Sequence, residues 1–159
     1  MDKEELYILG EDKQAARARI EQLGKEIQDL GPGFYDAFTQ TSETWHDNAP
    51  FEALRDKQAV LFAEQQSLKA ILSNAAISLP PQKKNTIGIG SRVTLCAANG
   101  KETTYFIAGD WASRTGEVVD DALVVSAKAP IARAMIGKRV GETVYFRADL
   151  KVLSVESRL

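Results

Sequence analysis

The residues best equipped for chemistry in this chain of 159 lie in one short polar stretch, Thr41 to Asn48, which reads T-S-E-T-W-H-D-N. Glu43 and Asp47 offer the hard oxygen ligands that suit magnesium. Two carboxylates are too few to hold such an ion alone, so a metal role here has to be shared. His46 is the one histidine of the chain and has no cysteine beside it, which argues against zinc. Trp45 either packs across the end of the stretch or meets a partner. On residue types alone, Glu43 and Asp47 read more readily as solvated turn and capping groups.

The flanking segments decide how this stretch is displayed. Before it, Ala16, Ile20, Leu23, Ile27, Leu30, Phe34 and Ala37 recur at spacings of four and three, a heptad seam on one helix face. Asp12 is expected to cap that helix. Gly31-Pro32-Gly33 falls inside the seam without breaking its period, so a kink in a continuing helix is expected, with a true helix end at Leu30 as the alternative. After it, Asp47 or Asn48 can cap a second helix with Pro50 in its first turn. Its seam is Phe51, Leu54, Leu61, Leu68 and Leu72, with Gln58 and Gln65 at two intervening positions. Two helices joined by a short turn run antiparallel, which puts Thr41–Asn48 at the tip of a hairpin. About 25 helical residues span about 38 Å at 1.5 Å each, long enough to predict a projecting hairpin.

Ser78-Leu79-Pro80-Pro81 reads as the linker that ends the hairpin. Beyond it the period becomes strand-like at 93–95, 103–107, 123–125, 143–146 and 151–155, and Asn99-Gly100 is a hairpin turn. Pro130 to Ile136, closed by Gly137, reads as one short helix. The expectation is an α+β chain: an N-terminal antiparallel α-helical coiled-coil hairpin at 1–78, then a small antiparallel β-sheet domain with one short helix at 79–159.

Composition narrows the functional classes. With 44% apolar and 26% charged residues, the chain has enough apolar material for a core. The lone Cys96 excludes an intramolecular disulfide or a cysteine-cluster metal site. No apolar run is long enough to span a bilayer, and the acidic N-terminus lacks a signal-peptide core, so no membrane and a cytoplasmic location are expected. Residues 1–78 carry 8 Lys/Arg against 14 Asp/Glu, a balance of −6, whereas residues 79–159 carry 12 against 8, a balance of +4. That split assigns different tasks to the two halves and is unlike the concentrated basic surface of a duplex-DNA binder.

The run Ser126 to Val144, S-A-K-A-P-I-A-R-A-M-I-G-K-R-V-G-E-T-V, resembles the C-terminal signature of the bacterial GreA/GreB transcript-cleavage factors. Ile107-Ala108-Gly109-Asp110 is similar to the strand end of the same domain. In the hairpin, Asp47-Asn48-Ala49 and Arg55-Asp56-Lys57-Gln58 resemble the family's tip and second helix. The resemblance implies an FKBP-like C-terminal domain that docks on RNA polymerase and a coiled coil that enters the polymerase secondary channel. It further implies that Asp47 and Glu43 share Mg2+ with the polymerase active site and so promote cleavage of backtracked RNA. The factor would then be an accessory to the polymerase's own activity, not an enzyme. Trp45, His46, Arg55 and Lys57 would meet polymerase or the nascent RNA 3′ end. Ile131, Arg133 and Met135 would form the docking surface, with Ile131 and Met135 equally suited to the core.

The tip departs from the family pattern. Asp47 stands where the family has Glu, and Thr44 falls on the first acidic position, with Glu43 just before it. Some relatives with altered tips occupy the same channel and inhibit polymerase, which makes a channel-binding regulator without cleavage the second reading. A prolyl isomerase or holdase needs an aromatic-lined pocket, which the few Tyr and Phe of the second half, mostly in strands, do not favour. A monomer is expected.

Overall fold

The computed structural model describes residues 4–40 and 49–157, the side chains of 38–40 excepted. The chain divides into two units, Gln14–Ser73 and a second made of Met1–Lys13 with Asn74–Leu159. In place of a boundary at 78/79, both the N-terminal lead and residues 74–78 group with the sheet. The reason is backbone pairing: Leu6 N–H donates to Asn74 O at 2.8 Å, and Ala76 N–H donates to Leu6 O at 2.8 Å. That pairing also ends the long helix at Ser73, earlier than the Pro80-Pro81 stop.

The helical unit holds most of α1 (Gly10–Asp29), α2 (Gly31–Gln40) and α3 (Ala49–Ser73). Only Leu30 separates α1 from α2, and Phe34 N–H still bonds Leu30 O at 3.0 Å. The path is therefore a kink of the expected kind: Pro32 brings no N–H, while the surrounding turn keeps its hydrogen bonds. Ala16, Leu23, Leu30 and Ala37 are buried, with Ile20, Ile27 and Phe34 half-buried between them. From α3, Leu68 is buried and Phe51, Leu54, Leu61, Gln65 and Leu72 are half-buried; Gln58 is exposed.

Asp12 does not cap α1, which starts two residues earlier. Its carboxylate is buried and accepts from Ser113 N at 3.2 Å and Ser113 Oγ at 2.9 Å. Asp110 makes a second tie of this type. Its Oδ2 accepts from Tyr7 N–H at 2.8 Å, and its own N–H donates to Tyr7 O at 2.6 Å. These bonds satisfy the polar backbone of a segment that would otherwise be costly to bury.

The sheet unit is a six-stranded sheet of β1 (Ser91–Ala97), β2 (Glu102–Ile107), β3 (Val118–Val119), β4 (Ala122–Val125), β5 (Thr143–Tyr145) and β6 (Asp149–Ser157). Its order is β3-β4-β2-β1-β6-β5. The Asn99-Gly100 turn joins β1 to β2 as expected, with Gly100 at φ 84° and Cys96 opposite Glu102. The sheet is mixed, not purely antiparallel: β4 runs parallel to β2, pairing Tyr105 with Leu123 and Ile107 with Val125. The segment between them crosses over through β3, so no hairpin forces the two strands antiparallel. The short helix α4 (Pro130–Met135) buries Ile131, Ala132 and Met135 with Val93, Leu95, Ile107, Val144 and Val152. Among the described residues no helix is long and apolar enough to cross a membrane.

Gly109 is the tightest point of this unit. A Cβ built there would meet the Tyr7 carbonyl and come within 2.9 Å of Ile8 Cα. Gly109→Ala is therefore expected to push the N-terminal lead off the sheet and cost about 1–3 kcal/mol. A lower urea midpoint reads this out; an unchanged midpoint contradicts the close approach.

Candidate functional site

The hairpin is built by contacts that run in opposite sequence directions. Phe34 stacks edge-on against Phe51, with centroids 5.5 Å apart and planes at 77°. A Cβ on Gly33 would touch Leu54 at 3.3 Å, and one on Gly24 would touch Gln65 Nε2 at 3.4 Å. Further along the helices, Gln65 Nε2 donates to Ile20 O at 3.2 Å. One number falls as the other rises, so α1–α2 and α3 are antiparallel, as two helices joined by a short segment require.

One ionic cluster locks this pairing. Arg19 Nε and Nη2 donate to the two oxygens of Glu64 at 2.9 and 3.0 Å, a bidentate fork that fixes both planes. Glu26 adds a longer contact to Arg19 at 3.8 Å. The hydrogen bond from Arg19 holds the Glu64 carboxyl below its ordinary value of 4.5, and the same bond raises the Arg19 guanidinium. Residue spacing alone did not single out Arg19 or Glu64. The visible signal was opposite charges just outside two facing seams, where coiled coils place their ion pairs.

The sequence-derived tip residues are positioned by these helices only through the chain. Glu43, Thr44, Trp45, His46 and Asp47 lie outside the described residues, between the last residue of α2 and the first of α3. The expected N-cap at Asp47 or Asn48 lies there too, while Pro50 falls in the first turn of α3 as expected. Arg55 and Lys57 are exposed on α3. Two residues apart on a helix, they point to nearly opposite sides, so one phosphate strand lying on one face meets only one of them. Among the described residues no group of three or more His, Cys, Asp or Glu is placed to hold a metal.

In the sheet unit the three residues expected at a docking surface separate. Arg133 is exposed. Met135 is 0% and Ile131 9% exposed, both in the core cluster, so their side chains hold α4 to the sheet and are not free for a partner. The surrounding signature is largely a folding device. Ser126 Oγ donates to Asp110 O at 3.0 Å and accepts from Lys128 N–H at 3.2 Å, Pro130 opens α4, and Gly137 and Gly141 take φ of 91° and 89°.

A helical hairpin followed by a mixed sheet with one short helix defines a two-unit α+β protein of the coiled-coil-and-sheet class. Its residues 82–157 match the family described as Transcription elongation factor, GreA/GreB, C-term. The chain is 30% identical to the transcription elongation factor GreA of Paracoccus denitrificans over 80% of its own length and 83% of that protein. It is also 30% identical to the GreA of Thioalkalivibrio sulfidiphilus, over 98% of its length and 99% of that protein. Among solved structures it is similar to the GreA factor homolog 1 (Gfh1) protein of Thermus thermophilus, at 21% identity and a TM-score of 0.42, covering 96% of this chain and 99% of that one. The chain belongs to the GreA/GreB family of transcription elongation factors.

The ion pair makes a pH-dependent prediction. Glu64 has a lower pKa folded than unfolded, so its contribution is fully present above the unfolded value near 4.5 and is lost as pH falls through the folded one. Thermal melts of the full chain between pH 6 and pH 3 should therefore show a smaller loss of melting temperature for Glu64→Gln than for wild type. Equal losses would show that the pair does not stabilise the hairpin.

Proposed function

We propose that this protein binds RNA polymerase, inserts its hairpin into the secondary channel and promotes cleavage of backtracked RNA. It acts as an accessory to the polymerase active site, in the cytoplasm and as a monomer. Family membership supports polymerase as the partner. The observation that carries the finer reading is the Phe34–Phe51 contact, which joins α2 to the first turn of α3, the two helices that the segment Thr41–Asn48 connects.

Within that reading Asp47 and Glu43 supply oxygen ligands toward a Mg2+ shared with polymerase. Held there beside the polymerase's own metal, that ion would supply one half of a two-metal site, in which one ion activates the attacking water and the other stabilises the leaving oxygen. The chain's own part is to deliver carboxylates; the remaining ligands come from the polymerase. Trp45 and His46 meet the polymerase or the RNA 3′ end beside them, with Arg55 or Lys57 behind on a phosphate. Arg133, the exposed member of the α4 trio, contributes to docking.

One sequence observation favours a second reading. Thr44 stands where the first tip acid is expected, and without an acid there the factor would occupy the channel without stimulating cleavage. Transcript-cleavage assays on backtracked polymerase separate the two. Wild type should shorten the RNA, and Asp47→Ala should slow that step roughly 10–100-fold, equivalent to about 1.4–2.8 kcal/mol of lost transition-state stabilisation, with binding retained. Binding by wild type with no shortened RNA establishes the second reading. No binding to core polymerase removes both.

A further inference from the structure

The outer surface of α3 carries a second heptad stripe that the hairpin does not use. Its residues are Glu52, Arg55, Ala59, Phe62, Gln66 and Lys69, spaced alternately three and four apart. The stripe lies about a third of a turn round the helix from the Leu54, Leu61, Leu68 and Leu72 seam. All six residues are exposed, Phe62 by 54%, and Ala63 and Ala70 beside them are exposed too. Among the described residues no ion pair or side-chain hydrogen bond engages Glu52, Arg55 or Lys69. A lone exposed Phe needs no explanation. The pattern around this one does.

The stripe is complementary to itself read backwards. Two copies of α3 can lie antiparallel with a two-fold axis level with the link between Val60 and Leu61. Phe62 then faces Ala59 of the second copy, Arg55 faces Gln66, and Glu52 faces Lys69, each contact occurring twice. The large side chain meets a small one at the centre, and opposite charges meet at both ends. Other arrangements lose this match. A slip of one heptad sets Phe62 on Gln66 and Ala59 on Lys69, or Glu52 on Phe62. A parallel pair sets Glu52 on Glu52 and Lys69 on Lys69, where like charges repel.

We propose that the free protein forms a weak, reversible antiparallel dimer through this face of α3. Charge complementarity selects a second copy as the occupant, because the face supplies its own counter-charges in one register. Its size sets the strength. From Glu52 to Lys69 the stripe is about 26 Å long at 1.5 Å per residue, and a strip one helix wide, about 10 Å, falls well short of the roughly 800 Å² per copy of a stable interface. The pair therefore parts on dilution. Its exposed ion pairs add little affinity but fix the register. The dimer is a resting form that separates before one hairpin enters polymerase. That last step rests on the function proposed above; the dimer itself does not.

The experiment is sedimentation velocity of the full chain at low salt, from low micromolar to millimolar concentration. Wild type should show a monomer–dimer equilibrium with a dissociation constant on the order of 100 µM. Phe62→Asp should raise that constant about tenfold or more. Glu52→Lys and Lys69→Glu should each raise it about fivefold, because each sets like charges face to face. The two charge swaps together should return it to within about twofold of wild type. Val60→Asp, on another side of α3, should leave it unchanged. Unchanged far-ultraviolet circular dichroism shows that these exposed-site variants fold. A monomeric mass at millimolar concentration overturns the proposal, as does association that survives Phe62→Asp or grows beyond two copies. So does a doubly swapped chain as weak as the single variants, or a loss with Val60→Asp equal to that with Phe62→Asp. Transcript-cleavage results bear only on the polymerase reading, so the two proposals stand or fall separately.

Discussion

The helical unit depends on the pairing of two heptad seams, and a heptad seam does not choose its own register. Sliding one helix by seven residues, about 10.5 Å at 1.5 Å each, presents the same apolar stripe to its partner. What breaks the tie is a small set of unlike contacts. Arg19 forks onto Glu64, and Leu54 lies over Gly33. A slip of one heptad would put Glu26 or Gln40 under Leu54 and set Glu64 against Glu26 or Asp12 in place of Arg19. The residues carried between α2 and α3 are therefore delivered by a pairing with one favoured register. Polar seam positions give up some stability for that choice.

The sheet unit obeys a different constraint, the satisfaction of buried polar groups. The N-terminal lead belongs to it because Leu6 pairs with 74–76 and Tyr7 pairs with Asp110, while Asp12 accepts two bonds from Ser113. Gly109 is glycine because the Tyr7 carbonyl passes where a side chain would begin. In the same way, the family signature from Ser126 to Val144 mostly specifies a turn, a helix start, two left-handed glycines and a core face. A signature that serves folding identifies the family well, yet it says little about which of its residues meet a partner.

The parts legible in the sequence are those where periodicity and side-chain type agree. The seams, the kink carried through Gly31-Pro32-Gly33, the Asn99-Gly100 turn and α4 between Pro130 and Gly137 all follow from local rules. Long-range pairing was harder to see. Nothing local in Leu123-Val124-Val125 says that it joins Tyr105–Ile107 in parallel, and nothing near Asp12 says that its acceptor atoms go to Ser113 and not to a helix end. Ile131 and Met135 resisted assignment for another reason, since an apolar residue on a short helix suits a core or an interface equally until its burial is known. The candidate site divides along the same line. The helices that carry it were readable from their period, whereas the roles of Glu43, Asp47 and their neighbours rest on resemblance, because a short polar stretch has no period to read.

The central claim is that the Thr41–Asn48 segment is delivered to the polymerase catalytic site. The most direct measurement replaces Trp45 with the photo-crosslinker p-benzoylphenylalanine and irradiates a backtracked elongation complex. The prediction is crosslinking to the RNA 3′ end or to the polymerase segment that carries the catalytic carboxylates. Crosslinks confined to the polymerase exterior, in a complex that demonstrably holds the protein, would contradict it.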